Sequence, residues 1–486
     1  MDSAIVKTKQ GLVRGTEGRA ATVWKGIPFA KKPAGELRFQ PPEPPEAWEG
    51  TLDANEFGPV CTQNKDIAAM LGAPTENMSE DCLYLNIWAP AGPREGLPVM
   101  VWIHGGSFRS GAGSSPLYDG TSMAENGGVI VVTINYRLGA FGFLHLAGLD
   151  SSYSANLGLL DQIAALKWVR ENIETFGGDP EQVTVFGESA GAMSIASLLA
   201  MPAAKGLFQK AILESGASQI IPPEQASMIA KAVLQQLGID DHTMEKLKEV
   251  PAEDILKAAE RVTAGQGPGM IFQPTVDAET LPVPPLQAIS GGAAEGIPVM
   301  IGTNHDEGAF FFRPDSAPMP GPARDEAMAK LIGPEAAEKV KGHYPATIEG
   351  ESQFMTDFVF WKPAIEYASG QTKHAPVWMY RFDWHIPGHP HVGKAAHGLE
   401  IAFVFSNLFY FSRLGVQVDE TIQRLSRHMQ SAWISFAKAG NPNAAGDDMN
   451  WPAYQPLDRY TYIFDSESRV EADPYKEKRE LITGRG

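Results

Sequence analysis

The chain has 486 residues, with 40 basic and 58 acidic side chains and a net charge of −18. That balance disfavours nucleic acid and anionic membrane surfaces as partners, and no apolar run approaches the ~18–20 residues of a membrane span. Two cysteines, Cys61 and Cys82, cannot hold a chain of this length together, so its stability must come from an apolar core. The opening MDSAIVKTKQG has no apolar signal core, which points to a cytoplasmic protein, or to a secreted one whose leader has been removed.

In chain order, residues 5–14 alternate weakly and are punctuated by Gly11 and Gly15, which predicts a hairpin. The proline- and aromatic-rich stretch 24–50 predicts an irregular run over the surface, pinned by Trp24, Phe29, Phe39 and Trp48. Residues 79–90, 97–108 and 129–136 predict strands. The last two are continuous apolar runs, as expected of strands covered by helices on both faces. Residues 157–175 predict a helix, with Leu159, Ile163, Leu166, Val169 and Ile173 recurring at spacings of four, three, three and four.

A strand from Val183, a helix at 225–237, short helices at 245–262, strands at 210–216, 297–308, 377–385 and 461–465, and a helix at 421–439 complete the pattern. Alternating strands and helices predict an α/β fold built on one mostly parallel sheet. The expected organisation is a single domain over residues 1–486, with insertions near 217–295 and 309–376 that form the walls of a gorge.

The chemistry centres on Gly187-Glu188-Ser189-Ala190-Gly191, a G-x-S-x-G turn between the strand from Val183 and a helix carrying Met193, Ile195, Leu198 and Leu199. Alone, such a turn can be an ordinary glycine-rich β–α connection. In α/β-hydrolases it is the nucleophile elbow, which lifts a serine hydroxyl clear of the backbone. A nucleophilic serine needs a base and an orienting acid, supplied in the order Ser, Asp or Glu, His. Asp306 and Glu307 end the strand 297–308 and compete for the acid. His397 follows the strand 377–385 and competes with His385, His389 and His391 for the base. His389-Pro390-His391 lacks the cysteine or acid cluster of a metal site, so neither a metal nor an organic cofactor is expected.

His104-Gly105-Gly106-Ser107 ends the strand 97–108 and resembles an oxyanion loop. The N–H groups of Gly105, Gly106 and Ala190 are the candidate donors to a developing oxyanion. Phe108, Met193, Phe272, Phe310, Phe311 and Phe312 are candidate pocket residues, with core packing as the alternative for each.

The segments WKGIPFA, RFQPP, SEDCLYLNIWAP, VWIHGGSF, NYRLGAFGFL, NLGLLDQ, FGGDPEQVTVFGESAGA, FQKAILESGA, GTNHDEG and HGLEIAFVF run across most of the chain. Together they resemble the type-B carboxylesterases, the group of the bacterial p-nitrobenzyl esterases and the cholinesterases. The resemblance implies a serine carboxylesterase of α/β-hydrolase fold, acting on a small-molecule ester as a monomer or small homo-oligomer. It implies Glu307 as the acid, from D-E-G, and His397 as the base, from H-G-x-E. It further implies that Ser215 hydrogen-bonds the acid, that Arg137 and Asp161 form a buried ion pair, and that Cys61 and Cys82 match a family disulfide, or stay thiols in a reducing cytoplasm. Where the cholinesterases carry a tryptophan that stacks on the choline cation, this chain has Gly72, which argues against choline esters. Hydrolysis of an amide, carbamate or lactone, or a non-catalytic binding role, are the competing expectations.

Overall fold

The apolar run that starts at Leu97 becomes an inner strand whose alternate residues bury on opposite faces. Val99, Val101 and Ile103 pack with Leu159, Ile163 and Leu166 on one side, and Met100 and Trp102 pack with Met429, Trp433 and Phe436 on the other. Two covered faces explain why the run is apolar at every position. The computed structural model describes residues 4–70, 72–240, 242–264, 270–312, 316–443 and 449–484.

The main sheet has eleven strands. They are β1 (Thr16–Glu17), β2 (Ala21–Pro28), β3 (Tyr84–Pro90), β4 (Leu97–Ile103), β5 (Ile130–Ile134), β6 (Gly178–Glu188), β7 (Lys210–Glu214), β8 (Val299–Asn304), β9 (Val377–Phe382), β10 (Tyr460–Phe464) and β11 (Arg469–Ala472). Their spatial order is β11-β10-β9-β8-β7-β6-β4-β5-β3-β2-β1. The stretch from β5 through β4, β6, β7, β8 and β9 to β10 is parallel, and the flanking strands run antiparallel. Residues 5–7 and 12–14 pair as the expected hairpin in a separate small sheet.

One expectation is corrected. The beginning of the proline-rich stretch is not an irregular surface run, because Ala21–Pro28 forms β2 and pairs with β3. The register shift between Trp24 and Ile27, with Gly26 at φ +66°, absorbs the irregularity that hid this strand in the sequence. Trp24, Phe29 and Phe39 are fully buried, as anchors should be.

Helices cover both faces of the sheet. α1 (Leu157–Asn172) ends in a short 3-10 turn closed by Gly177 at φ +92°. α2 (Ala190–Leu198) leaves the elbow, and α3 (Ile348–Met355) and α4 (Lys362–Gln371) lie between β8 and β9. α5 (Glu420–Ala439) and α6 (Lys476–Thr483) follow β9 and β11. Among the described residues, no helix is long and apolar enough to cross a membrane.

Candidate active site

β6 ends at Glu188, and the chain turns through Ser189 into α2. Ser189 has φ 55° and ψ −122°, a strained conformation for a residue with a side chain. Its N–H is held by Glu214 O at 2.8 Å, on the neighbouring strand β7. The turn tolerates no side chain at its last glycine, since a Cβ on Gly191 would stand 1.9 Å from Ile103 O at the end of β4. That close approach seats the elbow on the glycine loop after β4.

The same loop brings the candidate oxyanion donors to the serine. A Cβ on Gly105 would lie 3.0 Å from Ser189 Cβ, so the two backbones are in direct apposition. Among the described residues, the N–H groups of Gly105, Gly106 and Ala190 have no hydrogen-bond acceptor. His104 braces the loop from behind, with Nδ1 at 2.8 Å from Gly105 O and its ring stacked 4.5 Å from Tyr136. Burial pushes its imidazole down to about 4, so it is neutral at ordinary pH.

The candidate acid and base meet across 90 residues of chain. His397 Nδ1 lies 2.7 Å from Glu307 Oε2, and the other carboxylate oxygen of Glu307 accepts the Asn304 N–H at 2.7 Å. Glu307 is fully buried. Asp306 instead pairs with His305 Nδ1 at 2.8 Å, on the other side of the turn. His385 and His391 are exposed and His389 is half-buried.

No hydrogen bond joins Ser189 Oγ to His397 among the described residues. The second imidazole nitrogen, Nε2, faces Glu188 Oε1 at 3.0 Å, an ion-pair distance without the alignment of a hydrogen bond. In unliganded sites the nucleophile–base contact is commonly loose and tightens with substrate. Burial alone would lower the basicity of His397, but the charges of Glu188 and Glu307 outweigh it and lift the imidazole to about 9.

Glu188 and Glu400 form the rest of the acidic cluster, and sequence reasoning gave neither a role. Glu188 occupies a variable position of the elbow motif, and Glu400 closes H-G-x-E. Burial first, then the charge of Glu307, pushes Glu188 up to about 7 against the attraction of His397. Burial, then Glu188 and Glu307, pushes Glu400 up to about 8. Asn304 Nδ2 donates to Glu400 Oε2 at 2.5 Å. Two acidic residues bracketing the serine and histidine motifs are the one sequence signal that could have exposed this cluster.

Several expected roles change. Ser215 reaches Glu400 Oε1 at 3.5 Å rather than Glu307, because its φ of +52° at the end of β7 aims the hydroxyl past the acid. Of the two states expected for Cys61 and Cys82, the structure has the buried free thiols. Cys61 Sγ donates to Tyr136 O at 3.0 Å, and burial, followed by the hydrogen bond that the Cys82 thiol makes to Cys61, raises Cys82 well above its ordinary value. Phe108, Met193 and Phe272 are fully buried, and Phe108 packs edge-to-face on Phe143 at 4.8 Å in the core. Phe312 is half-buried. Phe310 and Phe311 are exposed, and their ring centroids lie 6.0 and 5.2 Å from the imidazole of His397.

The expected ion pair is present. Arg137 Nη2 and Nε meet Asp161 Oδ1 and Oδ2 at 2.7 and 2.8 Å, both side chains are buried, and the Arg137 N–H also donates to Asp161. Gly72 stands in open space with φ +70°, and a Cβ there would meet nothing within 4 Å.

A profile of the carboxylesterase family matches residues 2–482. The chain is 54% identical to the para-nitrobenzyl esterase of Bacillus subtilis (strain 168), over 99% of both chains. It is 36% identical to the human cocaine esterase, over 90% of this chain and 82% of that one. The solved structure of a thermophilic PNB esterase superposes with a TM-score of 0.96 at 53% identity, covering 99% of this chain and 100% of the other. The chain belongs to the carboxylesterase family and is a serine carboxylesterase of α/β-hydrolase fold.

Proposed function

We propose that Ser189, His397 and Glu307 carry out the ester hydrolysis, and that the preferred substrates are aryl or benzyl esters of short to medium acids. The observation that carries the reading is the 2.7 Å contact of Glu307 with His397, beside the strained serine and under two exposed aromatic rings. His397 swings from Glu188 to the serine hydroxyl as substrate binds and takes its proton. Ser189 Oγ attacks the ester carbonyl, and the oxyanion rests on the free N–H groups of Gly105, Gly106 and Ala190. Glu307 holds the imidazole and offsets its positive charge. His397 then protonates the leaving alcohol and activates the water that releases the acid from the acyl-enzyme.

The relatives support the alcohol class, since one is named for para-nitrobenzyl esters. The open space at Gly72 offers no aromatic platform for a quaternary ammonium, so choline esters should be poor substrates. Turnover of p-nitrobenzyl and p-nitrophenyl acetates, compared with matched amides, carbamates and lactones, tests the substrate class. Ser189→Ala tests the chemistry, and rates equal to wild type in that variant would end the proposed mechanism.

A further inference from the structure

α3 and α4 are joined end to end by a π-helical turn, Thr356–Trp361. A π turn inserts an extra residue into an α-helix, is rare, and is found frequently at functional sites. Three of its residues are held from outside the turn. Thr356 Oγ accepts the N–H of Gly308, the residue after Glu307, at 2.9 Å. Buried Asp357 accepts from Tyr344 OH at 2.8 Å and from Lys478 of α6 at 3.2 Å. The Val359 carbonyl is taken by the side-chain amide of Gln219, whose own oxygen accepts the Ala217 N–H at 3.0 Å.

The turn delivers Phe360 to the site. Its ring lies 4.7 Å from the imidazole of His397 and stacks on Phe311 at 6.0 Å, with 17° between the planes. Phe360 is 2% exposed and Phe311 is 41% exposed. The inner ring is therefore a fixed wall, and the outer ring is free to touch a ligand.

Chemistry says which part of the ester meets this wall. During acylation His397 gives its proton to the departing alcohol oxygen, so the carbons attached to that oxygen lie beside the rings around the imidazole. During deacylation water has replaced the alcohol and nothing bulky remains there. We infer that the π-helical turn Thr356–Trp361 is the element that selects the alcohol portion of the substrate, with Phe360 as a positioning residue that sets Phe311 and the face of His397 against an aromatic alcohol. The inference rests on the triad proposed above.

The test compares two substrate series in Phe360→Ala and Phe360→Leu: acetates of phenol, benzyl alcohol, ethanol and butanol, and p-nitrophenyl esters of acids from two to eight carbons. Variant-to-wild-type ratios cancel the intrinsic reactivity of each ester. Phe360→Ala should reduce the kcat/KM preference for benzyl over ethyl acetate about tenfold, or ~1.4 kcal/mol, and Phe360→Leu about threefold, while the order of preference along the acyl series stays as in wild type. Deleting Val359 removes the extra residue, turns Phe360 away by about 100°, and should produce the same loss of alcohol preference. Equal loss on every ester, an altered acyl order, or an unchanged benzyl-to-ethyl ratio in both point variants would overturn the assignment. Failure of the triad reading is seen separately, as activity surviving in Ser189→Ala.

Discussion

His397 sits between two carboxylates, with Glu307 Oε2 2.7 Å from Nδ1 and Glu188 Oε1 3.0 Å from Nε2. The imidazole is held at about 9 by this pair, in spite of burial that would lower it. A general base acts in its neutral form, so kcat/KM should rise with pH through the imidazole's titration. We expect an acid limb with its midpoint above 7. Glu188→Gln removes one of the two charges and should move that limb down by about one unit. A stopped pH series on p-nitrobenzyl acetate reads this, and a profile that is flat from pH 5 to 8, or a limb unmoved in Glu188→Gln, contradicts the account. Because the folded value lies above that of the unfolded chain, this group also contributes stability that is present below about 6.5 and is lost as pH rises through about 9.

The Arg137–Asp161 pair is buried and bidentate, and removing one partner strands the other. Asp161→Asn should cost about 3–5 kcal/mol of stability. Urea unfolding of the variant measures the loss. A cost under about 1 kcal/mol would mean that the pair behaves like an exposed one.

Gly191 has no room for a methyl group, which would stand 1.9 Å from Ile103 O. Ile103 O is a backbone atom and a Cβ has no torsion by which to avoid it, so relief requires α2 to move off β4. Gly191→Ala should therefore lower activity by about a hundredfold or more through misplacement of Ser189, and destabilise the protein by about 1–3 kcal/mol or more. Thermal melting and p-nitrophenyl acetate turnover, measured together, check both parts. A variant with wild-type turnover would show that the elbow does not depend on this contact.

The thiols of Cys61 and Cys82 are buried, and that of Cys82 is raised well above its ordinary value. The thiolate is the reactive form. A disulfide-exchange reagent such as DTNB should leave both untouched in the native protein and titrate both after denaturation without reductant. Absence of reactive thiols in the denatured protein would mean that they are bonded to each other.

Much of the site was legible in the chain itself. The glycines of the elbow and of the loop after β4 reflect backbone approaches that exclude a Cβ, and such exclusions leave their mark at single positions. The inner strands were readable because burial on two faces demands apolar residues throughout. β2 was not, because its bulge at Gly26 and its terminal proline break the period on which strand reading depends. Phe360 was equally hidden, since a π turn spaces side chains off the helical repeat.

By itself the sequence determined the order of the serine, acid and histidine, the local conformations that carry them, and the alternation that builds a parallel sheet. Those are local properties, set by sterics and burial along the chain. Only the tertiary structure shows Glu307 in contact with His397, Ser215 turned to Glu400, and Glu188 and Phe360 closed on the imidazole. These contacts depend on which strand ends lie side by side and on the angle at which each residue leaves its strand. The meeting of His397 with Glu307 spans 90 residues and exists only once β8 and β9 are neighbours in the sheet.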